Sequence, residues 1–333
     1  MTYVMGEQVQ LGLARESVRG TVVAPTTWIP ARTPTGIVAV VEKAEIKETR
    51  GSGIAGQGSE ISSIHVEGDL EFNVRNSSIG YIWLSLLGSI STGVTLGAYT
   101  HTFTRQLTGP QNPSLALALA QAGGQDYEYP MVVVDSLELS VPIDDVVNAT
   151  ATLIGQKENE HADYTPAFVS DATDALFRNH DVTIKFADTV SGLAAADPIC
   201  LKEFTLNIAN NAKTKMCIGE QYPTDILSVA SEITGSFAAD LASAETFYDV
   251  YKAGGYKAME ISMERDDMPV LGTSTKYPKM VITLDRVSFD KYTPDRPIDD
   301  IVGESVDFTA HFDETNSSAI TVVLQNTKAN YTS

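Results

Sequence analysis

The 333-residue chain is 43% hydrophobic and 20% charged, a composition that can fill a sizeable core and excludes a largely disordered protein. Its 43 acidic and 23 basic residues give a formal net charge of -20, which repels phosphate backbones and argues against tight, sequence-specific DNA binding. Its apolar runs fall far short of the roughly 20 residues that cross a bilayer, and it does not begin like a signal peptide. We therefore expect no membrane span and synthesis in a cytoplasm.

Alternating polarity dominates the chain and predicts a mainly β protein. Between Asp69 and Val74, polar and apolar residues alternate, which predicts a strand with Leu70 and Phe72 facing the core and Asp69 and Glu71 facing water. The same period-two pattern predicts further strands at 114–121, 182–186, 204–208 and 306–312.

Each half of the chain carries one pattern typical of a helix. The first is the apolar stretch Ile79–Leu87, which follows the potential capping residues 76–78 and stops at Gly88. The second follows Ser243 and stops at Gly254. The expected unit is a sheet-dominated domain with one helix lying on it.

Four sequence blocks recur in the same order, which predicts an internal duplication. The copies would span residues 1–165 and 173–333, joined by a polar linker at 157–173. The recurring pairs are Val9–Ala14 with Val182–Ala187, Val66–Val74 with Ile233–Leu241, Tyr129–Leu139 with Tyr277–Phe289, and Pro142–Val147 with Pro297–Val302.

Motifs that could carry chemistry have simpler structural explanations. The stretch Gly51–Gly56 matches GxGxxG, but the chain continues as a strand instead of a helix, so a Gly-rich loop is expected there. The pairs Asp144-Asp145 and Asp299-Asp300 are expected in capped turns. Cys200 and Cys217 are expected to be buried thiols. No catalytic group, metal site or cofactor is predicted.

The order of these features resembles the phage tail tube protein family, also called the major tail protein. The resemblance is carried by Glu16–Thr21 leading to Trp28–Pro30, by Gly68–Leu70 with its helix, by Gly97–Phe103, by Val134–Leu137, and by Phe204–Ile208 and Ile233–Gly235. It implies two tandem tail-tube domains, each a β-sandwich or barrel with one flanking α-helix. It also implies that sheets of neighbouring subunits join into a β-barrel around a lumen.

The resemblance implies a structural, non-enzymatic subunit of the virion tail that stacks into a conduit for DNA, which passes without sequence-specific binding. Because single-domain relatives would form six-membered rings, two domains per chain favour a ring of three chains with pseudo-sixfold symmetry, with six chains as the alternative. Further partners would be the tape measure protein, the tail terminator and the tail tip or baseplate proteins. The rival functions are another virion β-protein, such as a tail terminator, a capsid decoration protein or a pilus-like shaft, and a lectin-like protein.

Two sets of residues are candidates for sites in such a tube. The wetted face of the predicted strand offers lumen candidates, although alternation alone does not say which face is enclosed, and the same residues on the tube exterior remain the alternative. These candidates are Asp69, Glu71 and Asp240. Two long connections, 49–63 and 211–228, are expected to be loops that order against an adjacent ring, with Arg50, Gly53, Gly56, Gly58, Lys213 and Lys215 as contacts.

Overall fold

A computed structural model describes residues 5–33, 37–48, 51, 56–109, 111–170, 172–241, 246–270, 275–298 and 301–332. The protein is mainly β, as the alternating pattern predicted, and its predicted strands at 69–74, 114–121, 182–186, 204–208 and 306–312 are confirmed. None of the described helices is long and apolar enough to cross a membrane.

The first half of the chain contributes ten strands and one α-helix. These are β1 (Val9–Arg15), β2 (Thr27–Ile29), β3 (Val38–Lys47), β4 (Gly56–Asn73), α1 (Ile79–Leu87), β5 (Gly88–Thr95), β6 (Ala98–Arg105), β7 (Leu115–Gln121), β8 (Asp126–Pro142), β9 (Asn148–Gly155) and β10 (Asn159–His161).

The second half contributes a similar set. Its elements are β11 (Val182–Ala187), β12 (Pro198–Ile199), β13 (Leu201–Ala209), β14 (Ala212–Lys215), β15 (Asp225–Ser228), β16 (Glu232–Asp240), α2 (Thr246–Ala253), β17 (Tyr256–Glu264), β18 (Lys279–Asp295), β19 (Gly303–His311) and β20 (Ile320–Asn326). Short 3-10 turns lie at Gly6–Gln8, Asn179–Asp181 and Val190–Ala195.

The two halves pair their strands in the same order. The first runs β2-β1-β7-β8-β9-β4-β3, with β10 also on β8, and the second runs β12-β11-β17-β18-β19-β16-β13, with β20 also on β18. All of these pairs are antiparallel. The halves differ by one hairpin each: β5-β6 follows α1 in the first, and β14-β15 precedes β16 in the second.

Two ladders join the halves. Residues 136–142 of β8 pair with residues 203–209 of β13, which makes one continuous sheet of eight strands in the order β3-β4-β9-β8-β13-β16-β19-β18. On the other side of the core, β6 pairs with β20. A single cluster of buried side chains contains members of both halves, including Leu70, Trp83, Phe204 and Phe308.

Helix α1 is buried along its whole length, and its caps lie far away in sequence. The expected capping by residues 76–78 is wrong, because Ser78 makes no side-chain cap bond. Instead, the carboxylate of Asp174 accepts hydrogen bonds from the backbone N–H groups of Ser77 at 2.7 Å and Ser78 at 3.1 Å. At the other end, the Leu86 carbonyl accepts from the side-chain amides of Asn112 at 2.8 Å and Asn210 at 2.9 Å. The helix is therefore held by residues that no local pattern marks.

The prediction of buried thiols is also wrong. Cys200 and Cys217 are both exposed, because one lies in the connection between β12 and β13 and the other in the turn between β14 and β15. Each connection runs over the surface, where side chains stay in contact with water.

A polar sheet face as the candidate functional site

The eight-stranded sheet has one apolar and one polar face, because side chains alternate along every strand. Leu70 and Phe72 of β4, Phe204 of β13 and Phe237 of β16 are buried on the core side. At Gly235 the core side has no room for a side chain, since a Cβ there would overlap the ring of Phe308. The opposite face carries Ser, Thr, Asn and acidic residues and is not covered by another described strand.

Rows of paired residues show how uniform this polar face is. One row crosses seven neighbouring strands through Glu71, Thr150, Glu138, Asn207, Thr234, Thr309 and Ser288. The next row crosses seven strands through Asn73, Asn148, Ser140, Thr205, Ser236, Asp307 and Lys291. Short polar side chains dominate both rows, so the face presents hydroxyl and amide groups with carboxylates set among them.

The three lumen candidates lie on this face and are exposed. Asp69 accepts a hydrogen bond from the Thr152 hydroxyl at 2.8 Å, and Glu71 accepts one from the Thr33 hydroxyl at 2.7 Å. Asp240 differs, because the ammonium group of Lys202 lies 2.5 Å from its carboxylate. The structure thus brings the three candidates onto one surface, with the charge of Asp240 partly offset.

Further acidic residues on this face escaped the sequence reasoning. Glu138 is exposed at the centre of the sheet, where the two halves meet. Asp290 accepts hydrogen bonds from the hydroxyls of Ser288 at 2.8 Å and Thr309 at 2.5 Å. The alternation within β8 and β18 marks the polar side of each strand, but only the pairing of β8 with β13 places these residues on a common surface.

Parts of the two long connections are strands, which corrects the prediction of loops at those residues. Gly56 and Gly58 lie in β4, whose first part pairs with Val41–Lys47 of β3 to form an exposed arm. Lys213 and Lys215 lie in β14 of the β14-β15 hairpin. Arg50 and Gly53 lie outside the described residues, as do Asp299 and Asp300.

The structure brings the arm and the hairpin together. The backbone N–H of Ile64 donates to the carbonyl of Gln221, in the turn of the β14-β15 hairpin, at 2.8 Å. At its base the hairpin buries Ile226 against Met131 and Val133 of β8, so it packs on the first half of the chain. The sequence missed this hairpin because its strands are short and carry no alternation.

Groups that could carry chemistry are dispersed in structural roles. His65 lies 2.9 Å from the carboxylate of Glu67, and buried His101 is hydrogen-bonded to the Lys328 carbonyl at 2.8 Å. Burial lowers the pKa of His101. Asp145 accepts a hydrogen bond from the Val146 backbone N–H at 2.8 Å, which confirms the expected capped turn. Across the described residues, no group of three or more His, Cys, Asp or Glu side chains has the arrangement of a metal site.

Comparison with known protein families gives a match over most of the chain. A family model described as phage tail tube protein matches residues 6–310, which is nearly the whole chain. Among curated proteins, no significant match was found.

Proposed function

Because the chain belongs to the phage tail tube protein family, we propose that it is the structural subunit of a tail tube that assembles into stacked rings. The rings would enclose a lumen through which DNA passes from capsid to host. The observation that carries this proposal is the eight-stranded sheet, which has a packed face, an open polar face and two edges that each pair with one described strand. A sheet of this kind satisfies its edge groups when it closes into a ring.

The unit of assembly would be a duplicated tail-tube domain. Residues 1–165 and 173–333 would be two copies of one β-sandwich or barrel domain with a flanking helix, joined by 157–173. The identical order of strand pairing in the two halves supports this division. The join of β8 to β13 then serves as a template for the join between chains.

The free edges define where the next chain would attach. Strand β3 pairs with β4 only, and residues 289–295 of β18 pair with β19 only, among the described strands. Within the chain, the corresponding edges are β13 and residues 136–142 of β8. We therefore expect β18 of one chain to pair with β3 of the next.

A ring of three chains fits a DNA conduit better than a ring of six. With strands about 4.8 Å apart and tilted by about 40°, three eight-stranded sheets close into a barrel roughly 50 Å across between backbones. Six sheets give roughly 100 Å, which is far wider than a duplex needs. Class averages or a mass measurement that gave six chains per ring would overturn the trimer.

The polar face would line the lumen in this arrangement. Its carboxylates repeat from ring to ring, and their field reaches a passing duplex within a Debye length of about 8 Å at physiological salt. Phosphates would be repelled and the wall would not adhere to DNA. Replacing Asp69, Glu71 and Asp240 together by Lys should leave tubes intact but slow DNA ejection in a salt-dependent way. Unchanged ejection kinetics would show that these three residues do not line the lumen.

The arm and the β14-β15 hairpin would contact the adjacent ring. Both project from the same region, and the arm exposes Val41 and Ile61 to water. Removing 53–58 should leave a folded protein that does not polymerise, because the arm is shortened while the core strands remain. Normal tube growth by that variant would reject an inter-ring role for the arm.

Negative-stain microscopy of the purified protein tests the proposed function itself. Long hollow filaments are expected from a tube subunit. A tail terminator or capsid decoration protein, the alternative functions, would give rings or dispersed particles only. The proposed partners in the tail are the tape measure protein, the tail terminator and the tail tip or baseplate proteins, with the tail of the virion as the location and the host cytoplasm as the place of synthesis.

A further inference from the structure

A seven-residue pattern begins in the last described strand of each half. Residues Asn159–Thr165 begin with β10, and residues Asn326–Thr332 begin at the last residue of β20. The two segments share Asn, Ala, Tyr and Thr at the first, fourth, sixth and seventh positions. Strands β10 and β20 also pair with equivalent long strands, β8 and β18. The segments therefore occupy corresponding places in the two halves.

The second segment is anchored on helix α1 of the other half. Tyr331 is fully buried, and its hydroxyl donates to the Ser77 carbonyl at 2.7 Å. The side-chain amide of Asn326 donates to the Asn76 carbonyl and to the Tyr331 hydroxyl, each at 2.7 Å. The Tyr331 ring lies directly on Gly80, where any Cβ would overlap it. This segment is thus a built-in cover for the start of α1.

The first segment shares those four residues, but the described hydrogen bonds of Asn159 and Tyr164 are to strand β8 and not to a helix. The Asn159 amide donates to Glu128 at 3.3 Å, and the Tyr164 hydroxyl lies 3.5 Å from the same carboxylate. The Tyr164 ring stacks on His161 with centroids 3.9 Å apart. Its ring also packs edge-on against Trp28, with centroids 6.1 Å apart, yet it stays partly exposed, and exposed Phe168 and Val169 follow it. The contacts of this segment stay within its own half.

Helix α2 has no described segment that covers it as Asn326–Thr332 covers α1. Its inner side packs on β18, where Phe247 joins a cluster with Phe237 and Phe289. Tyr251 stacks on Tyr292 of β18 with ring centroids 6.3 Å apart but is still 38% exposed, and Lys252 is exposed. In the first half, the corresponding helix is covered by a segment that comes from the half joined to it through β8 and β13.

We infer that, in the assembled ring, Asn159–Thr165 of one chain docks on helix α2 of the neighbouring chain, as Asn326–Thr332 docks on α1 within the chain. The inference rests on the proposed ring. In that ring, the first half of the neighbouring chain would pair with the second half of this chain in the same way that the second half pairs with the first half within one chain. The occupant of the exposed side of α2 is therefore a second copy of this protein, and Tyr164 is its anchor.

Disulfide trapping tests this placement directly. In a background with both native cysteines replaced by Ser, Thr165→Cys is combined with Tyr251→Cys, which leaves Tyr164 in place. Mild oxidation of assembled tubes should give chains linked into dimers and higher multimers on a non-reducing gel. Each single-cysteine variant is the control and should stay unlinked, because like residues do not face each other. Intact tubes from the double variant without linkage would overturn the docking but leave the tube function standing, whereas failure of the unaltered protein to form tubes would count against the function.

A second measurement asks whether Tyr164 anchors the contact. Tyr164→Ala should raise the protein concentration needed for tube formation about tenfold or more, as loss of a central interface aromatic does, with an unchanged monomer by circular dichroism. Tyr164→Phe keeps the ring and should recover most of the assembly. The matched variant Tyr331→Ala should instead unfold the monomer. Normal assembly by Tyr164→Ala would contradict the anchoring role.

Discussion

Helices α1 and α2 occupy corresponding places in the two halves, yet their surroundings are opposite. Every residue of α1 is buried, and its ends are held by Asp174, Asn210 and the Asn326–Thr332 segment. Helix α2 is amphipathic, packs on β18 and leaves Tyr251 exposed. The difference lies in what covers each helix, since each follows the sixth strand of the same pairing order, β4 in the first half and β16 in the second.

In the proposed ring, one junction is completed within the chain, and the other would be completed only by a neighbouring chain. At the inner junction, ladder pairing, helix caps and a tyrosine anchor act together. At the outer junction, the second half has no hairpin between α2 and β17 that could add a strand to β10. The contact between chains would therefore be smaller than the contact between halves, which suits a protein that must first exist as a soluble subunit.

The largest contrast is expected from aromatic truncation in the two helices. Trp83→Ala in α1 should lower the free energy of unfolding by about 3–5 kcal/mol, because it empties a fully buried site. Tyr251→Ala in α2 should cost below about 1 kcal/mol in the monomer, since the side chain is partly in water. Urea denaturation of both variants measures the difference. Similar losses would mean that α2 is as well covered as α1.

Glycine substitution sharpens the same comparison. Gly80→Ala should destabilise the monomer by about 1–3 kcal/mol, because the added methyl group overlaps the buried Tyr331 ring. Gly255→Ala, just after α2, is the matched control, since its Cβ would meet Val250 at an ordinary 3.7 Å. A Gly80→Ala variant as stable as the control would show that the segment carrying Tyr331 is easily displaced.

Loss of the distant cap should have a smaller effect. Asp174→Ala removes the acceptor for the backbone N–H groups of Ser77 and Ser78 and should cost about 1–2 kcal/mol. Asp174→Asn keeps an acceptor oxygen and should cost less. Thermal unfolding separates the two variants. Equal losses would show that the carboxylate charge, not the acceptor geometry, holds the helix.

The smallest effect is a pH dependence with a defined sign. Burial raises the pKa of Asp174 and of Glu16, so the native state binds their protons at a pH where the unfolded state does not. Their contribution to stability should increase as pH falls through the raised pKa values toward the ordinary ones. At Asp267, neighbouring Arg265 lowers the pKa to about 2, and its contribution should decrease with acid. Stability against pH for Asp174→Asn, Glu16→Gln and Asp267→Asn checks each sign, and a common sign would contradict this account.

Much of the fold was predictable because short-range alternation records which side of a strand is buried. The strand around Leu70 and the helix from Ile79 to Leu87 were predicted on that basis and are present. The polar face was predictable strand by strand, as Asp69 and Glu71 show. Its extent was not, because it depends on the pairing of β8 with β13, which no local pattern encodes.

The predictions that were wrong also concern contacts between residues that are far apart in the sequence. Asp174 caps a helix from 97 positions away in sequence, so the local residues 76–78 were credited with its role. Strand β14 lies in a connection whose many small and polar residues predict a loop, although the hairpin rests on β8 through Ile226. The residues shared by Asn159–Thr165 and Asn326–Thr332 can be recognised in the sequence. That one of these segments covers the start of α1 is evident only from the burial of Tyr331 in the structure.

The long reach of the Tyr331 contact has a consequence for biosynthesis. Its hydroxyl and the Ser77 carbonyl are 254 positions apart, which at about 5–20 residues per second is a delay of roughly 10–50 s on the ribosome. Throughout that interval the nascent first half has a helix without its cover. In the proposed tube, a nascent chain would therefore offer a finished subunit surface only after translation has passed residue 331.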